Sequence, residues 1–292
     1  MKNNFLNFRT LTPIYAGWSG DKKYCAVDAN GQKYFYRVAP PEKAEKAKKS
    51  FELQKKMHAL GVPMCTPLAC GDLIDGFYTL QSWVDGENAE ETVPKLPQKE
   101  QYALGYESGE ILKIIHSIPA PSDAPDWETR FNAKMDRKIR NYNECPVKVE
   151  GGERFIDYIE HNRALLRSRP QFFQHGDYHI GNMMIARGHL VIIDFDRFDY
   201  GDPWEEFNRI VWCAQKAPRF ASGMVDGYFD GSVPPEFWRL LALYISSNTL
   251  SSIPWAVPFG ADEIEKFRAQ AKEILGWYDG MTKVLPGWYS KT

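Results

Sequence analysis

Cysteine is scarce and unpaired in pattern: Cys25, Cys65, Cys70, Cys145 and Cys213 make an odd total of five, with no CxxC pair among 292 residues. A disulfide framework is excluded on that ground, and the usage fits a reducing compartment. No run of 18 apolar residues occurs, so no membrane-spanning helix is expected. The opening MKNNFLNFRTLTP lacks the apolar core of a secretory signal, which makes a soluble cytoplasmic protein the expectation. Neither charge sign dominates: 36 Lys and Arg against 38 Asp and Glu give a formal charge of -2. A general nucleic-acid binder, which needs a basic face, is therefore not expected. Internal repeats, low-complexity tracts and the HExxH metal pattern are also missing. What remains is an ordinary folded composition, 43% hydrophobic and 25% charged, long enough for one large domain or two lobes.

The informative stretch runs from 172 to 206, FFQHGDYHIGNMMIARGHLVIIDFDRFDYGDPWEE. It reads as an apolar approach, a polar loop from His175 to Asn182, a strand, a turn at Arg187 to His189, the β-branched run Leu190 to Ile193, and a burst of carboxylates. Pairing the strands about Gly188 places Asn182 opposite Asp194 at the open end of a hairpin. Asp177 lies five residues before Asn182. Two carboxylates and an amide oxygen so close together call for a cation, and hard oxygen donors of this kind suit Mg²⁺ held jointly with substrate phosphates. The HxxxH of His175 and His179 lies in a glycine-containing loop with no cysteine spaced to help, so zinc is not expected.

His175-Gly176-Asp177 with Asn182, followed by Ile193-Asp194 and Tyr200-Gly201-Asp202-Pro203, resembles the catalytic segment of the aminoglycoside phosphotransferase and choline kinase-like family. That resemblance implies an α+β, bilobal protein-kinase-like fold, with a small antiparallel-sheet N-lobe and a mainly helical C-lobe. Residue by residue, it implies that Asp177 is the catalytic carboxylate facing the substrate hydroxyl and that Asn182 and Asp194 hold Mg²⁺ on ATP, with GTP as an alternative donor. Phe195 is followed by Asp196 where kinases carry glycine. Tyr200-Gly201-Asp202-Pro203 follows Asp194 after five residues, leaving no long activation segment, so a protein kinase is not expected.

The rest of the chain falls into place around this segment. Gly17 and Gly20 bracket Trp18-Ser19 before a strand; by itself this is an ordinary turn, but the resemblance puts it at the nucleotide-covering loop, with Ser19 and backbone N–H groups at the phosphates. The turn Asp28-Ala29-Asn30-Gly31 reads as a hairpin. Arg37 occupies the strand position where the kinase-like pattern carries lysine, its planar fork suited to the α and β phosphates. A helix from Glu42 to Leu60 buries Leu53, Met57 and Leu60, and Glu52 is the expected partner of Arg37, with Glu42 as its rival. Backbone groups near Gln81 and Trp83 are expected to read the adenine edge, and the change from strands to helices divides the chain into lobes at 1–84 and 85–292. The basic run Arg130, Lys134, Arg137, Lys138 and Arg140 reads first as a solvated helical face and second as a phosphate or acidic-substrate contact. Asp202 is expected to cap the following helix and to brace the catalytic loop.

The function implied is ATP-dependent transfer of the γ-phosphate to a hydroxyl of a small molecule. Asp196 and Asp199, in an acidic stretch and without assigned partners, point to an amine-bearing, cationic acceptor, aminoglycoside-like or an aminoalcohol. Alternatives are a kinase for a neutral sugar-like metabolite and a catalytically silent nucleotide-binding protein of the same fold. Oligomeric state has no signature in the sequence.

Overall fold

Alternating side chains and turn residues build the first part of the chain. The computed structural model describes residues 7–15 and 20–291. β1 (Thr10–Ile14), β2 (Lys22–Val27), β3 (Lys33–Ala39), β4 (Pro67–Leu73) and β5 (Gly76–Ser82) form one antiparallel sheet in the order β1-β2-β3-β5-β4. The β2–β3 turn is the expected one: the Asp28 carboxylate accepts from the N–H groups of Asn30 and Gln32, each at 2.9 Å, and Gly31 takes a φ of +82° that a side chain disfavours. Ala26, Tyr36, Tyr78 and Leu80 bury one face of this sheet.

The helix Ala44–Ala59 follows one 3-10 turn at Pro41–Lys43 and stops at Gly61, whose φ of +86° ends it. Its buried face is Ser50, Phe51, Gln54 and Met57; Leu53 is half-buried and Leu60 exposed, so the expected stripe is rotated. Side chains advance about 100° per residue on a helix, which turns Glu52 away from both Ser50 and Gln54.

The strands Met183–Ala186 and His189–Ile192 make the central hairpin, flanked by Glu87–Asn88. Its register is one residue off the expected one: Ala186 pairs with His189 and Met183 with Ile192, and Ile193 N–H donates to the Asn182 carbonyl at 3.0 Å. The turn is the two-residue Arg187-Gly188, with φ of 54° and 82°, the doubly left-handed conformation that matches strand twist. Asn182 therefore stands across from Ile193, and Asp194 follows at the hairpin's end.

Two compact units result, one comprising the chain up to Ala89 with Asn182–Phe198, the other Glu90–Gly181 with the chain from Asp199 onward. Compared with a cut after Val84, this division carries the central hairpin with the sheet. The architecture is α+β and bilobal, an antiparallel-sheet lobe at the N-terminus and a largely helical lobe after it, as in the protein-kinase-like fold.

In the helical unit, Gln98–Ile115 buries Leu104, Ser108, Ile111, Leu112 and Ile115 as the periodicity requires. It meets Pro218–Tyr228 at backbone distance, since a Cβ on Gly227 would lie 2.0 Å from the Tyr106 carbonyl oxygen. Asp126 caps the helix Trp127–Glu144 by accepting from Thr129 N–H at 2.9 Å. Trp127 and Phe131 pack against Tyr244 of the long helix Pro235–Ala256. Among the described residues, no helix is long and apolar enough to cross a membrane.

Candidate active site

In the sheet unit, β3 presents Arg37 between two carboxylates. Its Nε donates to Asp21 Oδ2 at 2.6 Å and its Nη2 reaches the same oxygen, while Nη1 forms an ion pair with Asp196. Lys43 adds a second cation at Asp21, 3.4 Å from Oδ1. Glu52 does not pair with Arg37: it is exposed and holds Lys55 at 3.1 Å, for the rotational reason given above. The helix instead turns Gln54 inward, where it donates to Ser50 Oγ at 3.0 Å and accepts from Gln81 Nε2. Trp83 is half-buried beyond the end of β5. Gly20 adopts a φ of +71° directly before Asp21, and Gly17 and Ser19 lie outside the described residues. Asp21 escaped the sequence reading because its signal is a lone carboxylate in a turn.

Asp194 follows the hairpin in the left-handed conformation, φ 66° and ψ 59°, uncommon for a residue with a side chain and frequent at functional sites. The carboxyl of Asp196 is raised above the ordinary range, first by burial; Arg37 opposes the shift and Asp194 adds to it. Two carboxylates thus crowd the end of the hairpin where Asn182 also stands. Oxygen-only donors with mutually repelling charge are the chemistry of a hard-cation site.

In the helical unit, the loop carrying Asp177 is held from behind by Glu206, a buried carboxylate that accepts from Gly176 N–H at 2.9 Å and Tyr178 N–H at 3.4 Å. The bracing expected of Asp202 is therefore performed by Glu206. Asp202 accepts from Trp204 N–H at 3.0 Å and from Arg169 and Tyr244. His175 is buried, its Nδ1 accepting from Asp177 N–H at 3.3 Å. Arg209 Nε lies 3.2 Å from Asp177 Oδ1. His179 approaches the same oxygen at 3.8 Å, but burial pushes its imidazole down to about 4, so it stands there uncharged at neutral pH. Ile180 N–H donates to Cys213 Sγ at 3.3 Å and fixes the far side of the loop.

The acids expected to await a cationic acceptor have partners: Asp196 has Arg37, and Asp199 has Arg130 at 3.4 Å. The neutralising arginines come from β3 and from the helix Trp127–Glu144, not from within the acidic stretch.

Residues 10–241, well over half the chain, match the phosphotransferase enzyme family. The chain belongs to that family. Membership carries phosphoryl transfer from ATP as the general activity. No curated protein matches the chain by sequence. Among solved structures, similarity extends to the ADP-bound aminoglycoside phosphotransferase APH(2'')-Ib, at 18% identity and TM-score 0.64 over 92% of this chain and 95% of that one. A choline/ethanolamine kinase family protein from Mesorhizobium loti shows 15% identity and TM-score 0.67 over 94% and 91%. A thermostable mutant of aminoglycoside phosphotransferase APH(4)-Ia, in ternary complex with AMP-PNP and hygromycin B, shows 16% identity and TM-score 0.67 over 92% and 94%. At these identities the family members share the fold of this phosphotransferase.

Proposed function

We propose that this phosphotransferase moves the γ-phosphate of ATP to an alcohol hydroxyl of a small molecule, with Asp177 as the catalytic carboxylate. The observation that carries the reading is the Asp177 loop: its backbone is pinned by buried Glu206, which fixes the carboxylate without occupying it. A positioned acceptor of protons within hydrogen-bond reach of a hydroxyl is what in-line phosphoryl transfer asks of the protein, the rest being alignment and charge stabilisation. The acceptor oxygen attacks the γ-phosphorus, the bond to the β,γ-bridging oxygen breaks with its electron pair leaving on ADP, and the hydroxyl proton passes to Asp177 and then to solvent. Arg37, anchored by Asp21, is assigned to the donor's phosphates, with Gly17, Ser19 and Gly20 in the covering loop and Gln81 and Trp83 at the base.

Asn182 and Asp194 fit Mg²⁺ in donor type. Among the described residues no group of three or more His, Cys, Asp or Glu stands ready to hold a metal, so phosphate oxygens complete the coordination. The ion supplies charge neutralisation on the transferring phosphate when bound.

The amine-bearing acceptor implied by the acidic stretch, and matched by relatives solved with hygromycin B or described as choline/ethanolamine kinases, loses its basis in Asp196 and Asp199, whose charges are already met. The acceptor's charge is decided instead by the groups around Asp177.

Replacing Asp177 with Asn keeps the shape and removes the proton acceptor. Single-turnover ATP cleavage, with water or a small alcohol as acceptor, is expected to fall at least about 100-fold, with MgATP affinity by calorimetry unchanged. A variant within tenfold of wild type removes Asp177 from this role.

A further inference from the structure

From the basic ladder beside Asp177 we infer that the acceptor carries an anionic group, a carboxylate or a phosphate, next to the hydroxyl that is phosphorylated. This rests on the phosphotransfer reading above and concerns the acceptor side of the same site.

Arg130, Lys134 and Lys138 recur every four residues along the helix Trp127–Glu144, which places them on one face. That face is not the solvated one. It is shared with Trp127 and Phe131, over whose rings Arg130 and Lys134 lie at 4.9 and 5.1 Å. The lower two rungs have carboxylates: Arg130 takes Asp199, and Lys134 takes Glu205 at 3.2 Å. Lys138 has none among the described residues; its Nζ has only Ser247 Oγ, at 3.4 Å.

The charges that bear on Lys138 come from each neighbouring element. Lys134 and Arg137 share its helix, Glu205 and Arg209 come from the turn at Glu205–Arg209, and Ser247 comes from Pro235–Ala256. Glu205 is one carboxylate serving three cations: burial pushes its carboxyl up, and Lys134, Lys138 and Arg209 together draw it down. Arg209 in turn touches Asp177. Counting only the groups tied to Glu205 and Asp177, three cations face two carboxylates, so the neighbourhood of the catalytic oxygen carries surplus positive charge. Burial, followed by repulsion from Lys134, holds the Lys138 ammonium down to about 7, the signature of a cation lacking its counter-ion. A polycation approaching Asp177 would meet this surplus. An anion completes it.

Four acceptors built on one three-carbon scaffold separate the cases: serinol (cationic), glycerol (neutral), glycerate and glycerol 3-phosphate (carboxylate and phosphate). Label transfer from γ-labelled ATP with Mg²⁺ is measured for each, with wild type, Lys138→Gln and Lys138→Arg. At least one anion is expected to exceed glycerol tenfold or more in kcat/KM, with serinol poorest. The preference is expected to drop at least threefold in Lys138→Gln and to be kept in Lys138→Arg. Serinol or glycerol equalling both anions, or an anion preference untouched by Lys138→Gln, overturns the inference while leaving phosphotransfer standing. If no compound is phosphorylated, calorimetry on protein saturated with MgAMP-PNP decides: anion binding that weakens in Lys138→Gln supports the inference and counts against the phosphotransfer reading, and no such binding overturns the inference.

Discussion

Two arginine–aspartate centres, Arg37 with Asp196 in the sheet unit and Arg169 with Asp202 in the helical unit, use the same chemistry to opposite ends. Asp202 is fully buried and surrounded by donors: Arg169 Nε at 2.6 Å and Nη2 at 2.9 Å, Tyr244 OH at 2.6 Å and Trp204 N–H at 3.0 Å. The guanidinium is further clamped over the Trp204 ring at 3.8 Å. Asp196 has an arginine as well, but that arginine hydrogen-bonds Asp21, and the buried Oδ2 of Asp196 has no hydrogen-bond donor among the described residues. A like charge, Asp194, raises its carboxyl further. A buried pair with every lone pair met is a fixed part of the fold; one held by charge alone beside a second carboxylate is displaceable. The first suits a scaffold, and the second suits a place where phosphate is proposed to compete for Arg37.

The largest expected effect breaks the fixed centre. Asp202→Ala strands Arg169 and Tyr244 and is expected to cost about 3–5 kcal/mol of unfolding free energy, read by urea denaturation; a loss below about 1 kcal/mol would make the two centres equivalent.

Next, Tyr244→Phe deletes one donor to a charged acceptor and is expected to cost about 1.5–3 kcal/mol at neutral pH. Burial, with Asp202's charge, holds the Tyr244 phenol well above 10. The folded state therefore keeps a proton that the unfolded chain loses above pH 10, and the stabilisation is complete below that pH and declines as pH rises beyond it. The wild-type-minus-variant difference should accordingly shrink above pH 10; a constant or growing difference contradicts the assignment.

The smallest effect sharpens the displaceable centre. In double-mutant cycles read by stability, Arg37→Ala with Asp21→Ala is expected to deviate from additivity by about 1 kcal/mol or more, whereas Arg37→Ala with Glu52→Ala should add within about 0.5 kcal/mol. Coupling to Glu52 and none to Asp21 would reverse the arrangement.

Much of the fold was legible. The Asp28–Gly31 turn, the buried face of Gln98–Ile115 and the change from strands to helices are local patterns, and local backbone preference is enough to produce them. The candidate site was legible as residue types, Asp177, Asn182 and Asp194 in one stretch, but their surroundings were not. Glu206 rather than Asp202 braces the Asp177 loop because four residues of 3-10 and turn geometry re-aim the side chains between them. The basic run at 130–140 looked solvated since charge alone does not reveal that Trp127 and Phe131 share its face.

By itself, the sequence determined which chemistry is present and in what order: a carboxylate loop, a hairpin ending in Asn182 and Asp194, an arginine on a strand, and helices of defined period. Only the tertiary structure decided who meets whom. Periodicity fixes spacing along an element but not its phase against a neighbour, and a one-residue shift of register or a half-turn of helix exchanges one partner for another. That is why Arg37 met Asp21 and not Glu52, why Asp196 and Asp199 were already neutralised, and why Lys138 was left with a hydroxyl as its sole contact beside a surplus of positive charge.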